Sequence, residues 1–290
     1  MNLDYLMNIR RLLDHVETNM APVIEKVAEA CADCIANDGM LYFFGTGHSH
    51  IICEEPFYRA GGLANIAPLL KNSLMLHEGA AASSAYERLP GMGTTVIETS
   101  DLKAGDVIFL ISNSGRNAAC IDAAIAAKKI GAITVAITSL NHSGSVTSRH
   151  PSGKKLYELC DFVLDNGGVY GDACVHLEGM EEGAMISPTS TVIDATMVNL
   201  TMTATCEKLL ERGVAPTVFI SANAEGGDEK NAKIIEEFKR EFRFCNLIVD
   251  KAAERRGLSF CGFFGSRTRL VGIEIADKLS VGRADSDTLC

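Results

Sequence analysis

Apolar residues recur at three- and four-residue spacing through the first segment of the chain: Leu6, Ile9, Leu13, Val16, Met20, Val23, Val27, Cys31 and Cys34. That period lays one buried stripe along a helical surface. Pro22 does not suit a helix interior but fits a first turn, with Thr18 or Asn19 as cap. The pattern therefore predicts two helices, over residues 2–18 and 21–37, closed by Asn37-Asp38-Gly39. The first has the character of an element that protrudes and packs on a second subunit.

Beyond Gly39 the texture changes. Short, continuously apolar runs occupy residues 40–44, 106–111, 132–138 and 161–164, with a further candidate at 217–220. Residues 64–66 and 73–76 compete for one remaining inner strand. Helical patterns lie between, over 48–60, 79–88, 117–130 and 188–212. Apolar strands alternating with such helices predict an α/β fold with a parallel sheet covered on both faces. After Phe244 the pattern fades. Residues 268–281 suit one more helix or a tail, and the tail is the expectation. The organisation expected is an N-terminal helical pair (1–38), an α/β domain (39–245) and an unassigned C-terminal tail (246–290).

Composition narrows the function classes. With 27 Lys+Arg against 37 Asp+Glu, the net charge is −10. Such a surface repels a phosphate backbone, and no concentrated basic patch stands out, so no nucleic-acid partner is expected. Ten cysteines in 290 residues fall far below the density of a disulfide scaffold. There is no leader pattern before Leu3 and no apolar run near the roughly 18 residues of a membrane span. The expectation is a soluble, reduced, cytoplasmic protein with no membrane partner.

Ligands of open parallel sheets sit outside the carboxyl ends of the strands. Three strand-to-helix turns here are rich in glycine and hydroxyl residues. Gly45-Thr46-Gly47-His48-Ser49-His50 is neither a dinucleotide fingerprint nor a Walker loop, because the third glycine and the Gly-Lys-Ser/Thr ending are both missing. Ser112-Asn113-Ser114-Gly115-Arg116-Asn117 follows the strongest strand and precedes a helix, which makes an anion cradle of free amides and seryl hydroxyls. Simple capping by Ser114 is the plainer reading of that turn. Ser187-Pro188-Thr189-Ser190-Thr191 opens the long helix, with Pro188 in the first helical position. Thr138-Ser139 adds a fourth hydroxyl-bearing turn.

The ordered set Gly-Thr-Gly-His-Ser, Ser-Asn-Ser-Gly, Ala-Ile-Thr-Ser and Ser-Pro-Thr-Ser-Thr resembles the SIS (sugar isomerase) domain over about residues 1–245. It resembles in particular the stand-alone bacterial members of that family. The resemblance implies a five-stranded parallel sheet flanked by helices, flavodoxin-like and usually dimeric, that binds a phosphosugar. It implies phosphate binding by Ser112, Ser114 and Asn117, with Ser139 closing the phosphate pocket. Gly47 and Ser49 would line the sugar side, and Ser190 and Thr191 would approach the sugar from the last helix; His48, on the same turn, suits a contact with a sugar hydroxyl better than a metal.

Isomerase or etherase chemistry needs a carboxylate or histidine near the sugar to move a proton. Glu78 with its neighbour His77 is the first expectation, and Glu55, on the helix after the first turn, is the second. Glu178 and His176 precede the third turn. Arg59 suits a salt bridge. His48 and His50 share no helical face and have no evident third ligand, so neither a metal nor another cofactor is expected. Cys31 and Cys34 fall on the apolar stripe and read as core. The function expected is a sugar-phosphate isomerase acting as a homodimer or larger homo-oligomer. The alternatives are a non-catalytic phosphosugar sensor and an etherase or lyase on an amino-sugar phosphate.

Overall fold

The computed structural model describes residues 1–238, all of which belong to one compact unit. The C-terminal expectations at 246–290, including the possible helix at 268–281, lie outside the described residues.

The N-terminal stripe forms a continuous rod rather than two capped helices. Helix α1 (Asp4–His15) runs through a π-helical turn (Val16–Met20) into α2 (Ala21–Ala36). The amide of Ala21 reaches back five residues to the carbonyl of Val16. That widened turn carries the helix past Pro22, which has no N–H to give. Neither Thr18 nor Asn19 caps a new helix, and Asn19 bonds the ring of His15 at 3.1 Å instead.

Five parallel strands make the sheet, in the order β2-β1-β3-β4-β5. They are β1 (Leu41–Gly45), β2 (Ile66–Pro68), β3 (Val107–Ile111), β4 (Ile133–Thr138) and β5 (Phe162–Asp165). Every residue of β1 and β3 is buried, as central strands covered on both faces must be. Side chains alternate between two cores. Leu41, Phe43, Val107 and Phe109 face α1 and α2, and the Phe43 and Phe109 rings stack at 4.5 Å. Tyr42, Phe44, Ile108 and Leu110 face the other layer.

Between the strands lie α3 (His50–Glu54), α4 (Ala80–Tyr86), α5 (Met92–Glu98), α6 (Ala118–Ile130) and α7 (Leu140–Gly144). After β5 come a small antiparallel hairpin, β6 (Ala173–Val175) and β7 (Ile186–Pro188), the long α8 (Ser190–Glu211) and α9 (Gly227–Glu237). Gly93 lets α5 press onto α6, since a Cβ there would sit 1.8 Å from the carbonyl oxygen of Ala119.

Several expectations are corrected. The remaining strand is Ile66–Pro68, and residues 73–76 are turn, entered by the 3-10 helix Asn72–Leu74. Residues 217–220 are not a sheet strand; Val218 makes one isolated antiparallel bridge to Leu63. The helix expected over 48–60 ends at Glu54, and Pro56 and a left-handed Tyr58 (φ 47°) turn the chain away. Pro188 does not open α8 but ends β7, because it pairs with Ala173 across the hairpin. Among the described residues no helix is long and apolar enough to cross a membrane.

Candidate functional site

Because all five strands are parallel, their carboxyl ends share one edge, and the turns after β1, β3, β4 and β5 meet there. In the first turn, Gly47 takes a left-handed φ of 56°, and a Cβ on Gly45 would meet the Ser49 carbonyl at 2.8 Å. The backbone thus closes into a tight 3-10 turn (Gly47–Ser49), held by Ser49 N–H donating to the Thr46 carbonyl at 3.0 Å. His48 is exposed and Ser49 half-buried. Leu76 lies 3.9 Å from the Cβ position of Gly47, so the segment carrying His77 and Glu78 crosses over this turn. Both residues are exposed, and the Glu78 carboxylate accepts from Asn72 at 2.9 Å. Glu55 is instead engaged by Arg59 and, at 3.3 Å, by Asn199 of α8.

The second turn is the one expected to cradle an anion. Ser112 Oγ accepts from the Gly115 amide at 3.2 Å, and Gly115 has a left-handed φ of 55°. The Ser114 hydroxyl has no hydrogen-bond partner among the described residues, so it is free for a ligand. Asn117 is not: its Oδ1 accepts from Arg149 at 3.0 Å and its Nδ2 donates to Glu87 at 2.9 Å. Glu87 sits at the end of α4 and also accepts from Thr46 Oγ1 at 2.7 Å. One carboxylate therefore stands between the first and second turns.

Ser139 is fully buried. Its hydroxyl donates to the Gly168 carbonyl at 2.6 Å and accepts from the His142 amide at 3.0 Å, capping α7. Ser190 likewise spends its hydroxyl on Asp172 at 2.6 Å, and Asp172 also takes the Thr189 and Ser190 amides at the start of α8. Thr191 is half-buried in the first turn of α8.

Three buried side-chain atoms among the described residues have no partner: Arg116 Nε, His142 Nδ1 and Ser143 Oγ. All belong to this edge. Ser143 Oγ would lie 2.8 Å from a Cβ on Gly115, so it points at the cradle. Burial lowers the pKa of His142, nearby Arg116 lowers it further, and Asp172 opposes them. Below the cradle, Asn166 Nδ2 lies 3.0 Å from Asn113 Oδ1 and 2.8 Å from Oδ1 of the buried Asp194. Polar atoms left unpaired inside a protein are costly, which marks an edge built around something polar.

Glu87, Arg116, Arg149, His142, Ser143, Asn166 and Asp194 were absent from the sequence expectations. Glu87 is one acid in a helical pattern, and nothing local distinguishes it. Cys31 and Cys34 are buried on α2 as expected, with burial raising both thiols. Among the described residues no three His, Cys, Asp or Glu side chains converge as metal ligands.

The model of the SIS domain matches residues 4–139. A UPF0309 protein of Geobacillus thermodenitrificans is 43% identical over 231 residues, spanning 80% of this chain and 90% of the relative. A second, from Listeria innocua, is 44% identical over 228 residues, spanning 79% and 92%. Among solved structures, a phosphoheptose isomerase from Francisella tularensis is 16% identical with a TM-score of 0.46, covering 69% of this chain and 94% of that one.

Proposed function

Since this chain belongs to the UPF0309 family of SIS-domain proteins, we propose that it binds a phosphosugar at the strand edge and isomerises it by carboxylate-mediated proton transfer. The phosphate sits on the Ser112–Asn117 turn, where Ser114 and the N-terminus of α6 face an anion with the positive end of the helix dipole. The sugar lies toward Gly47, His48 and Ser49. The observation that carries the catalytic part is Glu87, held between Thr46 and Asn117 at the junction of the two turns. In an aldose–ketose exchange such a carboxylate takes the proton from the carbon beside the carbonyl, leaving an enediolate; the hydroxyl proton passes to the former carbonyl oxygen, and the carboxylic acid returns its proton to the adjacent carbon. Glu78 and His77, on the segment above Gly47, are the rival proton carriers. The reading has its test in a panel of pentose, hexose and amino-sugar phosphates with wild type, Glu87→Gln and Glu78→Gln. Product from wild type that disappears with Glu87→Gln supports it. Thermal stabilisation by a sugar phosphate without product from any of the panel replaces it with a binding module.

The same reading includes self-association. Leu6 and Met7 on α1 are exposed, and a groove of about 460 Å³ between the N-terminal rod and α8 is lined by Leu13, Val16, Ile24 and Leu200. A second copy would cover these apolar positions. Light scattering at micromolar concentration that returns a monomer removes this part.

A further inference from the structure

Arg149 bonds the side chain of Asn117, and Arg116 and Arg88 adjoin the two partners of that amide along the chain, Asn117 itself and Glu87. Arg149 donates to Asn117 Oδ1 at 3.0 Å, and the Arg149 amide donates to the Arg116 carbonyl at 2.8 Å. Arg116 is the residue before Asn117, and Arg88 follows Glu87, whose carboxylate holds the other end of the Asn117 amide. Arg116 makes one side-chain hydrogen bond, to Thr147 at 3.3 Å, and its buried Nε is unpartnered. Among the described residues none of the three forms an ion pair, whereas Arg59 and Arg212 both do. Slight desolvation lowers the pKa of the exposed Arg149 guanidinium, the charges of Arg116 and Arg88 push the same way, and Glu87 opposes them.

The like charges of Arg116 and Arg88 repel Arg149 although Glu87 acts against them, and a bound anion relieves that repulsion. The surroundings make the cluster more unusual, since the whole chain carries a net charge of −10. The Ser112–Asn117 turn does not need these groups to take a phosphate, because its amides and hydroxyls already present donors. The Arg149 side chain reaches the turn through the Asn117 amide, and its backbone N–H through the Arg116 carbonyl. A guanidinium offers a planar fork of donors that fits either a carboxylate or a phosphate.

The geometry points to a second oxyanion subsite beside the cradle, formed by Arg88, Arg116 and Arg149, which takes the carboxylate or second phosphate of a doubly anionic phosphosugar. This rests on the phosphosugar reading of the cradle and adds the substrate class to it. The global field of an acidic protein disfavours the more charged ligand, so a preference for one is a local property of these arginines.

The test is titration calorimetry at fixed ionic strength with two matched pairs: fructose 6-phosphate against fructose 1,6-bisphosphate, and glucose 6-phosphate against 6-phosphogluconate. The first pair adds a phosphate and the second a carboxylate. In at least one pair the doubly anionic member binds about tenfold more tightly to wild type, as a gained bidentate charge-assisted contact requires. That ratio falls to about one in Arg88→Gln/Arg149→Gln. The exposed single variant Arg149→Gln, expected to lower the ratio partway, serves if the double variant melts early. A wild-type ratio near one in both pairs overturns the subsite and leaves the cradle standing, as does a ratio that survives the substitutions. Failure of every sugar phosphate to bind removes the phosphosugar reading, and the subsite with it.

Discussion

Asn117 Nδ2 donates to Glu87 Oε1 at 2.9 Å, and Glu87 answers with its backbone, whose carbonyl accepts from the Ala119 amide at 3.0 Å. The end of α4 thus holds the start of α6 twice: its main chain caps the Ala119 amide, and its side chain fixes Asn117. The same carboxylate reaches Thr46 in the turn after β1. Glu87 is consequently both a strut between two turns and the charge set between them.

Glu87→Gln keeps the shape and removes the charge. Turnover of any phosphosugar substrate is expected to fall by about 10²–10⁴-fold, the usual contribution of a positioned general base. Ligand-induced thermal stabilisation should persist. Steady-state kinetics beside a melting assay separates the two effects, and undiminished turnover would exclude Glu87 as the proton carrier.

The two cradle serines should differ in what they cost. Ser112 Oγ accepts from the Gly115 amide, so Ser112→Ala is expected to lose about 1 kcal/mol of stability. Ser114 has no protein partner, so Ser114→Ala should stay within about 0.5 kcal/mol of wild type. Its affinity for a sugar phosphate should nevertheless drop about tenfold, as loss of one hydrogen bond to a charged group predicts. Denaturant melts and calorimetry on the same samples check both halves.

Asp194 gives the fold a pH dependence. Burial pushes its carboxyl up to about 7; the hydrogen bond from Asn166 works against the rise, and the Asp172 charge adds to it. An unfolded aspartate titrates near 3.9, so the folded state holds the proton more tightly. The contribution of Asp194 to stability is therefore greatest below about pH 4, declines as pH rises toward about 7, and levels off above it. Asp194→Asn removes this titration. Urea melts should show wild type losing about 1–3 kcal/mol relative to the variant between about pH 5 and pH 8. Parallel curves would contradict the burial argument.

Gly93→Ala tests the packing that sets the cradle helix in place. The added methyl would overlap the carbonyl of Ala119 in the first turn of α6. Overpacking of this kind costs about 1–3 kcal/mol or more. Here the neighbour is backbone and cannot rotate away, so the upper end is expected, read as a lowered midpoint in thermal or urea unfolding.

Strands β1, β3, β4 and β5, the glycine turns after β1 and β3, and helix α6 were legible in the linear pattern, because their causes are local. A run such as Val107–Ile111 is apolar at every position since both faces of β3 are covered. Gly47 and Gly115 are glycines because their left-handed backbone disfavours a side chain. The N-terminal stripe was legible for the same reason, although its period gave no sign that the chain would widen into a π turn and pass Pro22 unbroken.

Tertiary structure decided which polar groups meet. Thr46, Glu87, Asn117 and Arg149 come from four separate segments, and the hydrogen bonds joining them span 30 to 41 residues of chain. No periodicity records such a meeting, since each is a polar residue with an ordinary neighbourhood until the sheet closes. The same closure occupied hydroxyls that sequence had offered to a ligand: Ser139 is fully buried and bonded to Gly168, and Ser190 is bonded to Asp172. Sequence by itself determined where the glycine- and serine-rich turn of residues 112–117 would lie, because backbone conformation is a local property. Only the folded chain decided which charges surround it, because electrostatics follows distance in space and is indifferent to order along the chain.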